Sequence, residues 1–437
     1  MPDQHRIKRR SARILRHLAA VSISISFTAP LCPPAQAQEG SPLTLRDAIA
    51  RALDADPGLR AASAGVDAAL GGLRQARARP NPELSAEVEN FAGEGDLRGT
   101  QGAESTFSLS QELEIGNRRS ARIRAADREL HGAELDQLLR GLDLIRDVQL
   151  AYYDALAADE LVAIAAERLR TAEALNVSVA RHVTAARDPL MAGARAEAGL
   201  AEARIALARA QADGATARAY LASLIGGDVG FTLIRADFAL PRASDHAHDA
   251  LSDASPDIAR LATERERAGA SVRVEQSLAW QNPSLSFGYR RFEDRDGDGG
   301  ALVAGVSIPL GVFDRNQGSV ARARAEERRA GFNLEAGRQT LAREHAALER
   351  AIATDAAAIS ATEDDVIPQA ERALSLAQDG YNRGAFSYLN VLEAQRSLSD
   401  ARQTRVDALR SYHANEAALD RLTARFSEAL PNEEIHP

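Results

Sequence analysis

The sequence predicts a mainly α-helical protein with a membrane β component, in which long antiparallel coiled-coil hairpins accompany four strands. Three observations lead to this fold class. Apolar and alanine positions recur at helical spacing over stretches far longer than the ~11 to 12 residues of a globular helix. Four segments of about ten residues alternate between apolar and polar side chains, which is the length that a tilted strand needs to cross a bilayer. The pattern also occurs twice, since DADP at 54–57 matches DASP at 253–256, so the chain is a tandem repeat of about 200 residues.

The start of the chain is typical of a secretory signal peptide. A basic segment precedes an apolar run at 18–31, and the small-residue site Ala35-Gln36-Ala37 follows. Because the apolar run is too short to span a membrane, we expect cleavage after this site and a mature chain without a lipid. Cys32, the only cysteine, lies inside this segment, and its lipidation is the less favoured alternative. The mature chain then has no thiol for a disulfide, a metal site or catalysis.

Composition excludes several classes of function. The net charge of −9 becomes more negative when the basic leader is removed, and no basic run is interleaved with aromatic residues, so we expect no nucleic-acid partner. Only 4% of the residues are aromatic, and the abundant alanine suits helical bundles better than a catalytic α/β domain. The sequence contains no serine elbow, phosphate loop or paired acid and base, so we expect neither an enzyme nor a bound cofactor.

Each repeat reads helix, β-hairpin and helical hairpin. The predicted segments are a signal peptide at 1–37, a first repeat at 38–227 with a β-hairpin at about 82–114 and a helical hairpin at about 117–225, a linker at 228–250, a second repeat at 251–425 with a β-hairpin at about 283–311 and a helical hairpin at about 317–424, and a tail at 426–437.

Proline and glycine set the limits of these elements. The first helical pattern is interrupted at Asp56-Pro57 and stops at the RPNP motif, because a residue before proline leaves the helical region. Asp188 is expected to be the N-cap of the returning helix, with Pro189 as its first residue. In the second hairpin the long helix is expected to break once, at Pro368. A coiled-coil seam in the first hairpin is predicted at Ile123, Leu130, Leu138, Leu142, Ile145, Val148, Tyr152 and Leu156.

The four strands are predicted to have one apolar and one polar face. Leu84, Ala86 and Val88 share the apolar face of the first strand, and the polar face carries four acids, Glu83, Glu87, Glu89 and Glu112. In a membrane barrel that polar side faces the lumen, where the acids would favour cations. Four strands cannot close such a barrel, because the smallest use about eight, so two, three or four chains would have to share one. A soluble sandwich packed on the helices is the alternative.

Several motifs resemble those of the outer-membrane factor family of TolC-like efflux channels. They are RPNPELSAEVENFAG at 79–93, SLSQELEIGNRRSARI at 108–123, SIPLGVFDRNQG at 307–318 and GYNRGAFSYLNVLEAQ at 380–395. The first two are similar to the heavy-metal cation efflux branch, which serves pumps of the cobalt-zinc-cadmium type. The resemblance covers nearly all of the mature chain. It implies a homotrimer in the outer membrane, with twelve strands in one barrel and twelve helices in a periplasmic tunnel, working with a periplasmic adaptor and an inner-membrane pump.

The same resemblance assigns a role to the tips of the helical hairpins. Residues at such tips would pack inward and close the periplasmic aperture until an adaptor engages them. In this sequence they are Asp379, Tyr381, Arg383 and Gly384 in the second hairpin and Arg187 and Asp188 in the first. The alternative is that they only cap helices and form tight turns, which is at least as good an interpretation for Gly384 and Asp188. The first tip lacks the Tyr and Gly of the second, so its role in closure is the weaker expectation.

Candidate metal ligands are weak. Asp294, Asp296 and Asp298 have the spacing of the first half of a calcium loop, but Gly305 stands where the loop requires a glutamate. A flexible acidic turn is therefore the better interpretation. His246 and His248 could bind a metal, but nothing in the sequence fixes their geometry. The leading interpretation is a passive outer-membrane conduit for a metal efflux pump, and the runner-up is a periplasmic coiled-coil adaptor, which would normally have one hairpin rather than two.

Overall fold

The computed structural model describes residues 42–95, 98–100, 102–240, 255–294 and 297–430. The helices are α1 (Leu45–Ala55), α2 (Pro57–Arg77), α3 (Arg118–Thr184), α4 (Leu190–Leu224), α5 (Pro256–Ser277), α6 (Gln317–Ala361), α7 (Ile367–Asn382) and α8 (Tyr388–Thr423). The strands are β1 (Pro42–Leu43), β2 (Glu83–Glu89), β3 (Glu104–Glu112), β4 (Thr232–Leu233), β5 (Ser284–Asp294) and β6 (Gly297–Ser307). The signal peptide, His246 and His248 lie outside the described residues.

The longest helix, α3, organises the packing. It has 67 residues and packs against α2, α4, α5 and α8. In the predicted seam, Leu142, Ile145, Val148, Tyr152 and Leu156 are almost fully removed from solvent, whereas Ile123, Leu130 and Leu138 are only partly buried. Within the described ranges, none of the helices combines the length and the apolar character that a transmembrane span requires.

The interruption predicted between α1 and α2 is present and has a local cause. The Asp56 side chain accepts a hydrogen bond of 2.6 Å from the Leu59 amide, and Pro57 is the first residue of α2. The same carboxylate forms an ion pair of 3.0 Å with Arg140 on α3. Asp56 thus caps one helix and attaches it to the next.

The prediction for the start of α4 is wrong. The N-cap position is Pro189, which has extended backbone angles and no side-chain cap bond, and the helix begins at Leu190. Asp188 precedes a proline and its carboxylate points elsewhere, since it accepts a hydrogen bond of 2.5 Å from the Tyr381 hydroxyl. A contact with the other hairpin has therefore replaced the local cap.

The helix changes its geometry near Pro368, where a break was predicted, but the chain remains helical. Thr362–Val366 is a single π-helical segment between α6 and α7, and Pro368 is the second residue of α7. The missing amide of a proline is tolerated in the first turn of a helix, and the wider π turn accommodates its ring. Glu363 in this segment forms an ion pair of 2.5 Å with Arg405 on α8.

The main apolar core lies where α1, the middle of α3, the end of α4 and α8 meet. The strands β1 and β4 form a two-stranded parallel ladder there, which joins the start of the described chain to the linker after α4. Tyr152 on α3 donates its hydroxyl toward the Leu43 carbonyl at 3.1 Å and the Asp237 carboxylate at 2.8 Å. A second, smaller core lies at the other end of the helices, near the tips.

Candidate functional site

The strands of the two repeats join into one antiparallel sheet with the order β2-β3-β5-β6. The junction between the repeats is the β3–β5 ladder, in which Phe107 pairs with Tyr289 and Ser108 with Gly288. A Cβ atom at residue 288 would lie 2.6 Å from the Phe107 carbonyl oxygen, so glycine permits the close approach of the two strands. Within the described residues, β2 and β6 each have a strand neighbour on one side only.

One face of this sheet consists of exposed apolar side chains, as the alternation predicts. Leu84 is 75% exposed, Phe287 67% and Leu302 89%. Val88, Phe107, Leu109, Tyr289 and Val306 lie on the same face and are also more than half exposed. A contiguous face of this kind on a soluble protein is rare, and it marks a membrane or protein contact.

The opposite face carries the four predicted acids. Arg290, which was not predicted, lies on the same face. Glu83 and Glu87 are exposed there. Arg290 on β5 forms ion pairs with Glu104 at 2.8 Å and with Glu89 at 3.4 Å. Arg290 thus offsets one of the two negative charges of Glu104 and Glu89 at the end of the sheet far from the helices.

At the other end of the sheet, next to the helices, Glu112 is held in place by the loop before β5. Its carboxylate accepts a hydrogen bond of 2.6 Å from the Asn282 side-chain amide. Neither interaction is predictable from the sequence, because each joins residues more than 160 positions apart in the chain.

The strands continue directly into four helices that have the same neighbour order. Helices α2 and α5 enter the sheet through β2 and β5, and α3 and α6 leave it after β3 and β6. The helices pack in the pairs α2 with α3, α3 with α5, and α5 with α6. The outer strands of the sheet, β2 and β6, are therefore joined to the outer helices of this row, α2 and α6.

At the tips of the helical hairpins, the structure brings Tyr381 and Asp188 together. Tyr381 on α7 is 2% exposed, and burial followed by the hydrogen bond to Asp188 raises the pKa of its hydroxyl. The ring of His182 lies 4.7 Å from the Tyr381 ring, and its Nδ1 is 3.5 Å from the Asp188 carboxylate. Tyr388 at the start of α8 completes this aromatic contact.

The remaining tip residues lie apart from that contact. Asp379 and Arg383 are exposed and 3.7 Å from each other on the surface of α7. Arg187 is exposed in the turn after α3. Gly384 has a φ of +76° in the turn after α7, a conformation that favours glycine. The structure thus separates the six predicted tip residues into an internal pair and four exposed residues at the end of α7 and in the two turns.

A buried polar cluster on α8 was not predicted. His413 is 1% exposed and stacks on Tyr153 of α3 with the ring centroids 3.9 Å apart. Asp420 is 3% exposed, and its burial raises the pKa of its carboxyl even though Arg425 lies 3.2 Å away. Gln149 of α3 donates to the same carboxylate at 3.3 Å. The signal was the spacing of polar residues along the inner face of α8.

The candidate metal ligands do not form a site in the described residues. Asp294 ends β5 and Asp298 lies in β6, and these two strands pair antiparallel, while Asp296 lies outside the described residues. No group of three or more His, Cys, Asp or Glu residues within the described ranges has the arrangement to hold a metal ion.

Similarity to known proteins identifies the family to which this architecture belongs. The family model for the outer membrane efflux protein matches residues 48–227 and 248–425. The cobalt-zinc-cadmium resistance protein CzcC of Cupriavidus metallidurans is 31% identical over 422 residues, which cover 93% of this chain and 98% of that protein. Among solved structures, CusC has a TM-score of 0.73 and VceC of Vibrio cholerae one of 0.72, each at 22% identity and over 87% of this chain, with 91% and 95% of their own chains covered.

The helices, the sheet and its two faces thus define a TolC-like channel. The chain belongs to the outer membrane efflux protein family. It is an outer-membrane channel protein with a long periplasmic extension, and the family is one of transport proteins rather than enzymes.

Proposed function

We propose that three copies of this chain form the outer-membrane conduit through which a tripartite pump exports divalent heavy-metal cations from the periplasm. The observation that carries this proposal is the four-stranded sheet, which has an exposed apolar face, an acidic face and two edges with one neighbour each. Such a sheet satisfies its backbone in a bilayer only when its edges pair with those of other copies.

Three copies give twelve strands and bring the edge formed by β2 and α2 against the edge formed by β6 and α6 of the next copy. Strands and helices have the same neighbour order, which supports this closure. A single rotation axis that pairs β2 with β6 of the next copy also pairs α2 with α6 of that copy. The number three comes from the likeness to the family, since strand count alone is equally compatible with two or four copies.

The polar face then lines the lumen and favours cations. Glu83, Glu87 and Glu112 are repeated in each copy, and Arg290 offsets only one of the two negative charges of Glu89 and Glu104. Rings of carboxylates select for cations by charge without a specific binding site. The name of CzcC, a cobalt-zinc-cadmium resistance protein, supports divalent metal ions as the cargo.

The tips supply the proposed gate and the proposed contact with an adaptor and an inner-membrane pump. The hydrogen bond between Tyr381 and Asp188 ties the second hairpin to the first and holds the closed arrangement of the tip. Asp379 and Arg383 at the end of α7, together with Gly384 and Arg187 in the turns, lie on the surface that a partner would meet. The runner-up function, a periplasmic adaptor, is less well supported because the family model matches both repeats.

Complementation tests the proposal. A strain that lacks the outer-membrane component of a cobalt-zinc-cadmium pump is supplied with this chain, and tolerance to zinc, cobalt and cadmium is compared with tolerance to an organic dye. We expect metal tolerance to rise while dye tolerance does not change. A chain that reaches the outer membrane and restores only dye export would contradict the proposed cargo.

A further inference from the structure

One aromatic side chain on the outer helix α6 is left uncovered. Phe332 is 73% exposed, and it is the only exposed large apolar residue of α6, a helix that the structure describes in full. It lies two residues from the buried Ala330 and two residues from the buried Leu334. Since each residue turns an α-helix by about 100°, the side chain of Phe332 projects from the opposite side of α6.

The buried side of α6 faces α5. A Cβ atom at Gly337 would clash with the Leu261 side chain of α5, so the two helices approach closely at this glycine. Leu334 lies three residues before Gly337 and therefore belongs to the same side of α6. Phe332 thus points away from α5, beyond the outer edge of the row of helices.

The other outer helix, α2, has small residues on the side that faces away from α3. It packs on α3 through a side that buries Leu73 and partly buries Val66. Helical rotation places Ala64, Ala68 and Gly71 on the opposite side, and all three are exposed. A Cβ atom at Gly71 would meet no other atom within 4 Å. This small edge of α2 therefore has room to receive a large side chain.

Charged residues beside the two edges match in sign and spacing. Arg60 and Asp67 on α2 are seven residues apart, Arg328 and Glu335 on α6 are also seven apart, and all four are exposed. Helix α2 runs toward the sheet and α6 runs away from it, so the two are antiparallel. An antiparallel pairing of α6 with α2 of another copy sets Arg328 against Asp67 and Glu335 against Arg60 in one register.

We propose that Phe332 inserts into the small edge of α2 in a second copy of this chain, beside Ala64, and fixes the register of neighbouring copies. In the register set by the charges, Phe332 lies within one residue of the level of Ala64. A large knob against small residues is the geometry by which adjacent helices pack closely. This inference rests on the proposed function, in which several copies share one channel.

A second copy is the occupant that the surroundings of Phe332 favour. The residue lies about 22 Å along α6 from Gln317, on the side away from the sheet, so a bilayer around the sheet does not cover it. The edges of α6 and α2 continue those of β6 and β2, which pair in the proposed ring. The matched charges fit these two edges to each other. A different protein bound to α6 is the other occupant that the experiment separates.

The test moves the aromatic ring across the proposed contact. The mature protein is extracted from outer membranes in mild detergent, and the appearance of single chains is followed over time by semi-native electrophoresis. We expect the Phe332→Ala assembly to dissociate at least about tenfold faster than the parent, because truncating a buried phenylalanine leaves a cavity. Ala64→Phe puts a second ring into the same space and should also shorten the lifetime. Phe332→Ala combined with Ala64→Phe keeps one ring at the contact and should restore most of the lifetime.

Two further pairs of changes check the register. Ala68→Phe replaces Ala64→Phe in the same experiment and covers a stagger of one helical turn between the copies. Asp67→Arg and Arg328→Asp should each shorten the lifetime, because each puts two like charges opposite each other. The combination of the two restores opposite charges and should lengthen the lifetime again.

Asn333→Ala is the matched control, because Asn333 is an exposed neighbour of Phe332 that is turned by about 100° around α6. Phe332 and Ala64 are both exposed in the single chain, so the helix content measured by circular dichroism should not change in any variant. Equal lifetimes of the Phe332→Ala and Asn333→Ala assemblies would overturn the contact. A foreign protein that is lost from the Phe332→Ala preparation while the lifetime stays the same would do so as well. A parent protein that forms no assembly would instead contradict the proposed function.

Discussion

At the scale of residues, the hydrogen bond between Tyr381 and Asp188 directly connects the tips of the two hairpins. The two residues are 193 positions apart, and the contact is buried between the hairpins. The sequence places both residues at the tips but does not pair them with each other. The structure makes Asp188 the partner of Tyr381 and leaves Asp379 on the surface with Arg383.

The Tyr381→Phe variant tests this contact. Removing the hydroxyl leaves a half-buried carboxylate without its donor, which typically costs about 1 to 3 kcal/mol locally. We expect longer open times in single-channel recordings, with little change in global unfolding. Asp379→Asn is the matched control, because an exposed ion pair contributes only about 0 to 1 kcal/mol. Equal recordings for the two variants would remove Tyr381 from the gate.

Asp420 predicts a dependence of stability on pH. Burial raises the pKa of its carboxyl, so the folded state binds the proton more tightly than the unfolded state does. The stabilisation from this proton is complete below the ordinary carboxyl pKa of about 3.9 and is lost as the pH rises through the raised value. Asp420→Asn, which is always neutral, should therefore gain thermal stability relative to the parent as the pH rises.

Thermal unfolding followed from about pH 4 to about pH 8 checks this sign. Asp400→Asn serves as the control, because Asp400 is exposed on the same helix. We expect the melting temperatures of the control and the parent to run in parallel. If the difference in melting temperature between Asp420→Asn and the parent stays constant across the pH range, the carboxyl does not titrate in this way.

At the scale of elements, the two faces of the sheet make opposite predictions. An arginine at Val306, on the apolar face, should cost about 2 to 4 kcal/mol if it lies near the middle of the bilayer. An arginine at Ser286, which lies one residue away in register on the polar face, should be tolerated. The yield of heat-resistant oligomer in outer membranes measures both. Similar yields for Val306→Arg and Ser286→Arg would refute the membrane orientation of the sheet.

The elements also show what the sequence can and cannot predict. Alternation identified all four long strands and their faces, because a period of two is a local property. The pairing of β3 with β5 was not predicted, since nothing local sets the register between two hairpins from different repeats. The prediction of Asp188 as a cap failed for a related reason, because its partner Tyr381 belongs to the other hairpin. The salt bridges of Arg290 were missed in the same way.

At the scale of the whole molecule, the proposed ring pairs β2 of one copy with β6 of the next. Ala86 and Leu302 lie on the same face and at the same level of the sheet, as the pairing through Phe107 and Tyr289 shows. Because closing a barrel staggers the strands, cysteines at Leu302, Ala304 or Gly300 are each combined with Ala86→Cys. Oxidation should link copies into a covalent ladder for at least one combination.

The single-cysteine variants are the controls for this cross-linking, and they should stop at two linked chains. The expected removal of Cys32 with the signal peptide leaves no other thiol to react. A ladder that ends at three chains agrees with the proposed ring. Cross-links confined within single chains would mean that β2 and β6 meet in one copy and that no ring exists.

The native mass of the protein extracted from outer membranes tests most directly whether several chains share one channel. A channel shared by several chains must leave the membrane as a closed assembly, because an open edge of β2 or β6 is costly in lipid. We predict that mild detergent releases an assembly of three mature chains from the outer-membrane fraction. A single chain, or a protein found only in the soluble periplasmic fraction, would contradict a channel shared by three chains in the outer membrane.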